Sequence, residues 1–308
     1  MKKWCLFLSL YFSLCLLAAC AASGSGVPAP GGTPAGEEQS GGETTQPAAV
    51  EEPPAGANAS AYPVTLRCRI VDGAGTDTLL LAERDGGAGA VYTMPTQGLQ
   101  VFQGGGSALP EELENGMLVD VIYGGDVMAS YPAQFGGDAK LVVKEGFDDR
   151  CRLYLDVLED LWEVDSGLNS DGMTYVGVDL SQTSLFASER SAVAWAFAQA
   201  HGAELVEGTY EELAEQGYFT AEPLEGSDAK LWYWEDGCLF SIRDKEDAAF
   251  SLPAMGMPDA ENGLVNAVCF DAQKWRSGTG AYYFVDCTAS QSADGVWSGY
   301  TVGSQAIS

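Results

Sequence analysis

The chain has 308 residues and a formal net charge of −29, with 15 Lys and Arg against 44 Asp and Glu. A surface of that sign repels phosphate backbones and anionic lipid head groups, which excludes nucleic acid as a partner and excludes membrane adhesion through charge alone. Hydrophobic residues make up 46% of the chain, enough at this length for more than one packed core.

"MKKW" sets two lysines before the apolar run "CLFLSLYFSLCLLAA", residues 5–19. A bilayer-spanning helix needs about 20 apolar residues, so the run is short for one. A basic start, an apolar middle and small residues at the end make the pattern of a secretory signal. Leu17-Ala18-Ala19-Cys20 resembles the lipobox of bacterial lipoproteins. That resemblance implies cleavage between Ala19 and Cys20 and a diacylglyceryl thioether on Cys20, which would hold the protein to the outer face of the cell membrane. Two acyl chains anchor stably where one does so only marginally. The alternative is an ordinary signal peptide or an uncleaved anchor with a chance cysteine. Cleavage would remove Lys2 and Lys3, leaving 13 basic residues against 44 acidic ones, a balance of −31. Residues 20–61 then form the lipidated cysteine and a tether of Ala, Gly, Pro, Ser, Thr, Gln and Glu, too poor in large apolar residues to fold. As a flexible chain, residues 21–61 would span about 35 Å.

Residues 62–147 read as an all-β domain. "YPVTLRCRIVD" alternates Val64, Leu66, Cys68 and Ile70 with Thr65, Arg67 and Arg69, a half-buried strand. "DTLLLAER", "GAVYTMP", the two strands about Gly124-Gly125 and "AKLVVKEG" follow. The block "LENGMLVDVIYGGDVMASYPAQFGGDAKLVVK" resembles a domain of unknown function found in small lipoproteins of Bacillus and related Firmicutes. The resemblance implies a small OB-like barrel and no catalytic residue.

Residues 148–308 read as an α+β domain. Cys151, Tyr154, Leu155, Leu158, Leu161 and Trp162 share one helical face, with Asp148 or Asp149 placed to cap. "MTYVGVDLS" is a strand. "SERSAVAWAFAQAHG" is a helix with Ser188 as its cap, and "TYEELAEQG" carries a capping box from Thr209 to Glu212. "KLWYWEDGCLFSI" reads as a hairpin about Asp236-Gly237, and three more strands close the chain. The expected fold class is therefore α+β with two domains: the OB-like barrel, then an antiparallel sheet with helices packed on one face. "FDAQKWRSGTGAYYFVDCTASQSADGVWSGYTVGSQAIS" resembles the C-terminal part of gut-Firmicute lipoproteins of unknown function.

Chemistry is sparse. Once Cys5 and Cys15 leave with the signal and Cys20 takes lipid, Cys68, Cys151, Cys238, Cys269 and Cys287 remain, with no C-x-x-C pair. They read as small buried hydrophobes, or as a disulfide among Cys238, Cys269 and Cys287, which spacing does not choose. His201, the one histidine, sits at a helix C-terminus, where the dipole favours a cation. "DSGLNSDG", residues 165–172, lacks the Glu of an EF-hand, since Val178 occupies that position. No nucleophile elbow, H-E-x-x-H or P-loop is present, so no metal or cofactor is expected. The hairpin would place Trp232, Trp234 and Leu239 on one face, a candidate binding patch if that face is exposed and core if it is not.

The expectation is a lipid-anchored extracytoplasmic protein, not an enzyme, with a binding or assembly role toward an envelope protein or glycan. A solute- or glycan-binding lipoprotein and a carboxylate-dependent hydrolase are the alternatives. Labelled palmitate should enter the wild-type protein and not Cys20→Ser; equal labelling of both would remove the anchor from this reading.

Overall fold

The computed structural model describes residues 63–85, 89–136, 138–169, 173–245 and 264–308. The expected signal, Cys20 and the expected tether lie outside the described residues. Nine strands come first: β1 (Val64–Asp72), β2 (Thr78–Glu83), β3 (Val91–Pro95), β4 (Gln100–Gln103), β5 (Gly106–Ala108), β6 (Leu118–Tyr123), β7 (Val127–Met128), β8 (Ala133–Phe135) and β9 (Lys140–Lys144). They form one sheet in the order β5-β4-β9-β6-β1-β2-β3-β8-β7. Its end strands do not pair, so the expected closed OB-like barrel is not formed. The sheet instead curls over its own core of Cys68, Ile70, Leu79, Leu81, Met94, Val119, Val121 and Leu141.

Three helices and nine more strands follow: α1 (Arg150–Glu163), β10 (Tyr175–Gln182), α2 (Ala187–Ala200), β11 (Glu204–Glu207), α3 (Tyr210–Glu215), β12 (Thr220–Pro223), β13 (Lys230–Tyr233), β14 (Gly237–Asp244), β15 (Leu264–Ser277), β16 (Gly280–Ser292), β17 (Trp297–Thr301) and β18 (Ser304–Ile307). The second sheet runs β11-β10-β14-β15, then β13-β12. The strand β16 lies on the other edge of β15 and carries β17 and β18. This sheet is mixed, not antiparallel: β10 pairs parallel with both β11 and β14. The sequence reading passed over β11, four residues between two helices. With it in place, β10-α2-β11 is a crossover unit, the connection that parallel neighbours require.

The helices are not on one face of this sheet. Val176, Val178 and Leu180 of β10 and Cys238, Phe240 and Ile242 of β14 point toward α1 and α2. The alternate residues Leu239 and Trp275 point the other way and pack with Leu213 of α3. Helices α1 and α2 also meet Val71, Leu80, Ala82 and Val91 of the first sheet within the same cluster. Both helices are thus sandwiched between the sheets. Helix α2 shows why: "SAVAWAFA" is apolar on nearly every side, the composition of a helix with no solvent face. Strand β2 reads "LLLA" for the same reason, with Leu79 and Leu81 in one core and Leu80 and Ala82 in the other.

Arg69 shows the cost of this arrangement. Read as a solvent-facing residue, it is 5% exposed and points at α2. Its Nε donates to Glu189 at 3.0 Å, and its Nη1 donates to the carbonyls of Gly116, Gly146 and Asp148. Arg84 donates to the same Glu189 oxygen. Ser188 does not cap α2: its hydroxyl donates to the Glu83 carbonyl, and Glu189 reaches back to the Phe186 N–H instead. Lys274 is also buried, facing α1, and donates to the carbonyls of Trp162, Val164 and Asp165 and to Asn169 Oδ1. It closes the helix C-terminus, where carbonyls lack partners. The cysteines Cys68, Cys151, Cys238, Cys269 and Cys287 are free thiols.

Glu189→Gln should destabilise the protein by about 3–5 kcal/mol, because it leaves the buried Arg69 guanidinium, and the partly exposed Arg84 beside it, without a counter-charge. Urea denaturation would show a lower midpoint at an unchanged slope.

Candidate functional site

The face of the second sheet opposite α1 and α2 is only partly covered. Helix α3 packs on it, Leu213 against Leu239 and Trp275, and the β12–β13 pair extends the sheet from the end of β15. The exposed remainder is a groove of about 640 Å³. Its floor is set by register. Asp179, Ser241, Gln273 and Tyr283 are direct neighbours on β10, β14, β15 and β16 and form one polar row across four strands. Two residues along, Leu239 pairs with Trp275 and gives an apolar row. Two residues the other way, β14 presents Arg243. Alternate residues on a strand lie about 6.7 Å apart, so the groove grades from cationic to polar to aromatic over roughly 13 Å.

The walls come from α3 and β13. The capping box expected at Thr209 and Glu212 is present, with the Glu212 N–H donating to Thr209 Oγ1 and the Thr209 N–H to Glu212 Oε2. It sets the first turn of α3 so that Tyr210 and Glu211 line the groove. Tyr210 meets Trp275 edge to face at 4.9 Å, and Phe219 lies 4.8 Å from the same ring. Burial, with neighbouring Glu211, pushes the Tyr210 phenol up, so its hydroxyl remains a hydrogen-bond donor at neutral pH. Trp232 stands at the rim, 37% exposed, beside Lys230 and Leu231. Lys230 and Arg243 make no ion pair with another described residue.

The three residues of the expected patch separate. Trp232 and Leu239 both line the groove; Leu239 is 4% exposed and forms floor. Trp234 is buried and lines no part of it. The hairpin that joined them does not exist. Strands β13 and β14 lie end to end along one edge of β15, with Tyr233 opposite Ser277 and Phe240 opposite Lys274. The Trp234 N–H donates to the Arg276 carbonyl at 2.7 Å within this junction. Its indole folds inward beneath Phe219 and Tyr218 and over Gly177 and Gly237.

Sequence reasoning missed Tyr210, Asp179, Ser241, Gln273 and Arg243 as groove residues. The alternation "DLS" in β10 and "LFSIR" in β14 carried the signal, a polar residue on every second position facing away from the helices. His201 is not part of the site: its ring stacks on Trp162 at 3.6 Å and its Nε2 lies 3.0 Å from Glu159. The loop after Asp165 is tied to Lys274 through Asn169, and no cluster of metal-ligating side chains occurs among the described residues. Comparison of the chain with family models, with curated proteins and with solved structures found no match in any of the three.

A Cβ on Gly237 would stand 2.1 Å from Trp234 Cε2, and one on Gly177 would stand 2.7 Å from Trp234 Cζ3. Gly237→Ala should therefore cost about 3 kcal/mol, the upper range for overpacking. Trp234→Leu should recover part of that loss in the double variant, as read from thermal unfolding.

Proposed function

We propose that the protein is an extracytoplasmic lipoprotein, anchored through Cys20, whose groove on the second sheet binds an envelope glycan without turning it over. The observation that carries this reading is the groove's grading. An aromatic floor and rim at Trp275 and Trp232 adjoin a row of carboxylate, hydroxyl, amide and phenol groups. Sugar rings present the matching chemistry, an apolar C–H face for an aromatic ring and hydroxyls that both donate and accept. Aromatic side chains with a polar partner nearby suit a ligand that is apolar on one side and wet on the other. The acidic body of the protein adds nothing against an uncharged saccharide, whereas it repels polyanions.

A hydrolase is the second reading, because Asp179 and Glu211 line the same groove and paired carboxylates are the equipment of glycoside hydrolysis.

Soluble cell-wall fragments should quench or shift tryptophan emission of the wild-type protein in a saturable way. Trp232→Ala should weaken binding by about tenfold, the loss of about 1.4 kcal/mol expected for one stacked ring. Trp162→Phe, which alters a half-buried ring away from the groove, should leave the affinity unchanged. No response to any fragment would reject the glycan reading. Release of shortened products, abolished by Asp179→Asn, would replace binding with hydrolysis.

A further inference from the structure

A second pocket, of about 290 Å³, shares no lining residue with the groove. It lies where edge strands of the two sheets approach each other, β7 of the first and β11 of the second. The segment between β7 and β8 brings Tyr131 to it, β11 brings Glu204, Leu205 and Glu207, and α2 supplies Trp195 between them. The Tyr131 hydroxyl donates to Glu207 Oε1 at 3.2 Å, which ties one sheet to the other at this edge. Ser191, one turn before Trp195 on α2, donates to Glu207 Oε2 at 2.8 Å.

The pocket offers two aromatic rings and two carboxylates, and all four are open. Tyr131 is 59% exposed, and Trp195 is half-buried with its inner side on the core. Neither ring packs on another ring or carries a guanidinium among the described residues. Glu204 and Glu207 form no ion pair with a described residue, and no base lines the pocket. Glu207 also lines the next crevice, where Arg190 gives its Nη1 to the Leu185 carbonyl. The partners that the acids do have are neutral. Burial and the Glu207 charge push the Tyr131 phenol up to about 12, so it remains a donor. The Glu204 carboxylate pushes the Tyr175 phenol up in the same way. Neutral donors do not cancel the charge of either acid.

We propose that this pocket binds a small alkylated ammonium ion of the choline class, with its methyl groups on the faces of Trp195 and Tyr131 and its charge toward Glu204 and Glu207. A cation over an aromatic face is attracted by the ring quadrupole, and quaternary ammonium groups are recognised in this way because they have no N–H to satisfy. Leu205 makes an apolar wall that suits methyl groups and gives a primary amine no acceptor. An inorganic cation fits less well. Calcium takes six to eight oxygen ligands, and no cluster of metal-ligating side chains occurs among the described residues. The chain's net charge of −29 draws cations toward this surface and repels anions.

Thermal unfolding of the full chain in choline chloride and in sodium chloride at matched ionic strength tests this. A third arm uses the neutral carbon isostere of choline, in which a tert-butyl group replaces trimethylammonium. Choline should raise Tm saturably, with half-saturation on the order of 1 mM. The isostere should bind about tenfold more weakly, and sodium should give no saturable rise. Tyr131→Leu and Trp195→Leu keep an apolar side chain and remove the ring, and each should weaken the response about fivefold or more. Glu207→Gln removes one charge and should weaken it about fivefold. No saturable rise in choline, an equal response to sodium or to the isostere, or a midpoint unchanged in both ring variants would each overturn the proposal. If Trp195→Leu does not fold, Tyr131→Leu and Glu207→Gln decide the question, with an unchanged midpoint in both counting against it.

Discussion

Glu189, in the first turn of α2, sits between two arginines of the first sheet, and the rest of the structure is arranged around that contact. A buried carboxylate loses several kcal/mol of hydration, which attraction to one cation does not reliably offset. Here both oxygens are used, by Arg69 and Arg84 on one and by the Phe186 N–H on the other. Arg69 is completed in turn by three main-chain carbonyls, from the loop before β6 and from the segment that links β9 to α1. The contact therefore holds the first turn of α2, the centre of the first sheet and the link between the two halves in one geometry. Such a network is all or nothing, since any missing member leaves a buried charge.

From that point the layers follow. Once the start of α2 is pinned to the first sheet, its length must lie in the space between the sheets, and its other side must cover β10. The helix-facing residues of β10 and β14 are then core, which leaves the opposite face to α3. That helix is short and covers only one end. The groove is thus what remains of a sheet face too wide for the helix that packs on it. Its grading from Arg243 to Trp275 is the alternation of β14 and β15 seen from the uncovered side.

Much of this was legible locally. The strand pattern of β1, the helical stripe of α1 and the capping box of α3 are short-range signals, and each element occurs where its signal stands. Trp232 and Leu239 were singled out as possible ligand contacts, and both line the groove. The grouping that suggested them rested on a hairpin that does not form. Asp236-Gly237 has the composition of a two-residue turn, but Gly237 serves the Trp234 indole, which needs a position without a Cβ beneath it. A glycine required by packing and a glycine required by a turn look the same in a sequence.

The amino-acid sequence by itself determined the acidic charge, the existence of most strands and helices, and the pattern at Cys20 that points to an anchor. These depend on neighbours within a few residues, which sequence spacing reports directly. Tertiary structure alone decided that the first sheet stays open, that β11 turns the second sheet mixed, that α1 and α2 lie between the sheets, and that Arg69 is interior. The physical reason is common to all four. Alternation shows that a strand has two faces and that one is apolar, but it does not say what covers the other. When a second layer covers it, a lone arginine becomes a buried ion-pair partner. When nothing covers it, a row of ordinary polar residues becomes the lining of a site.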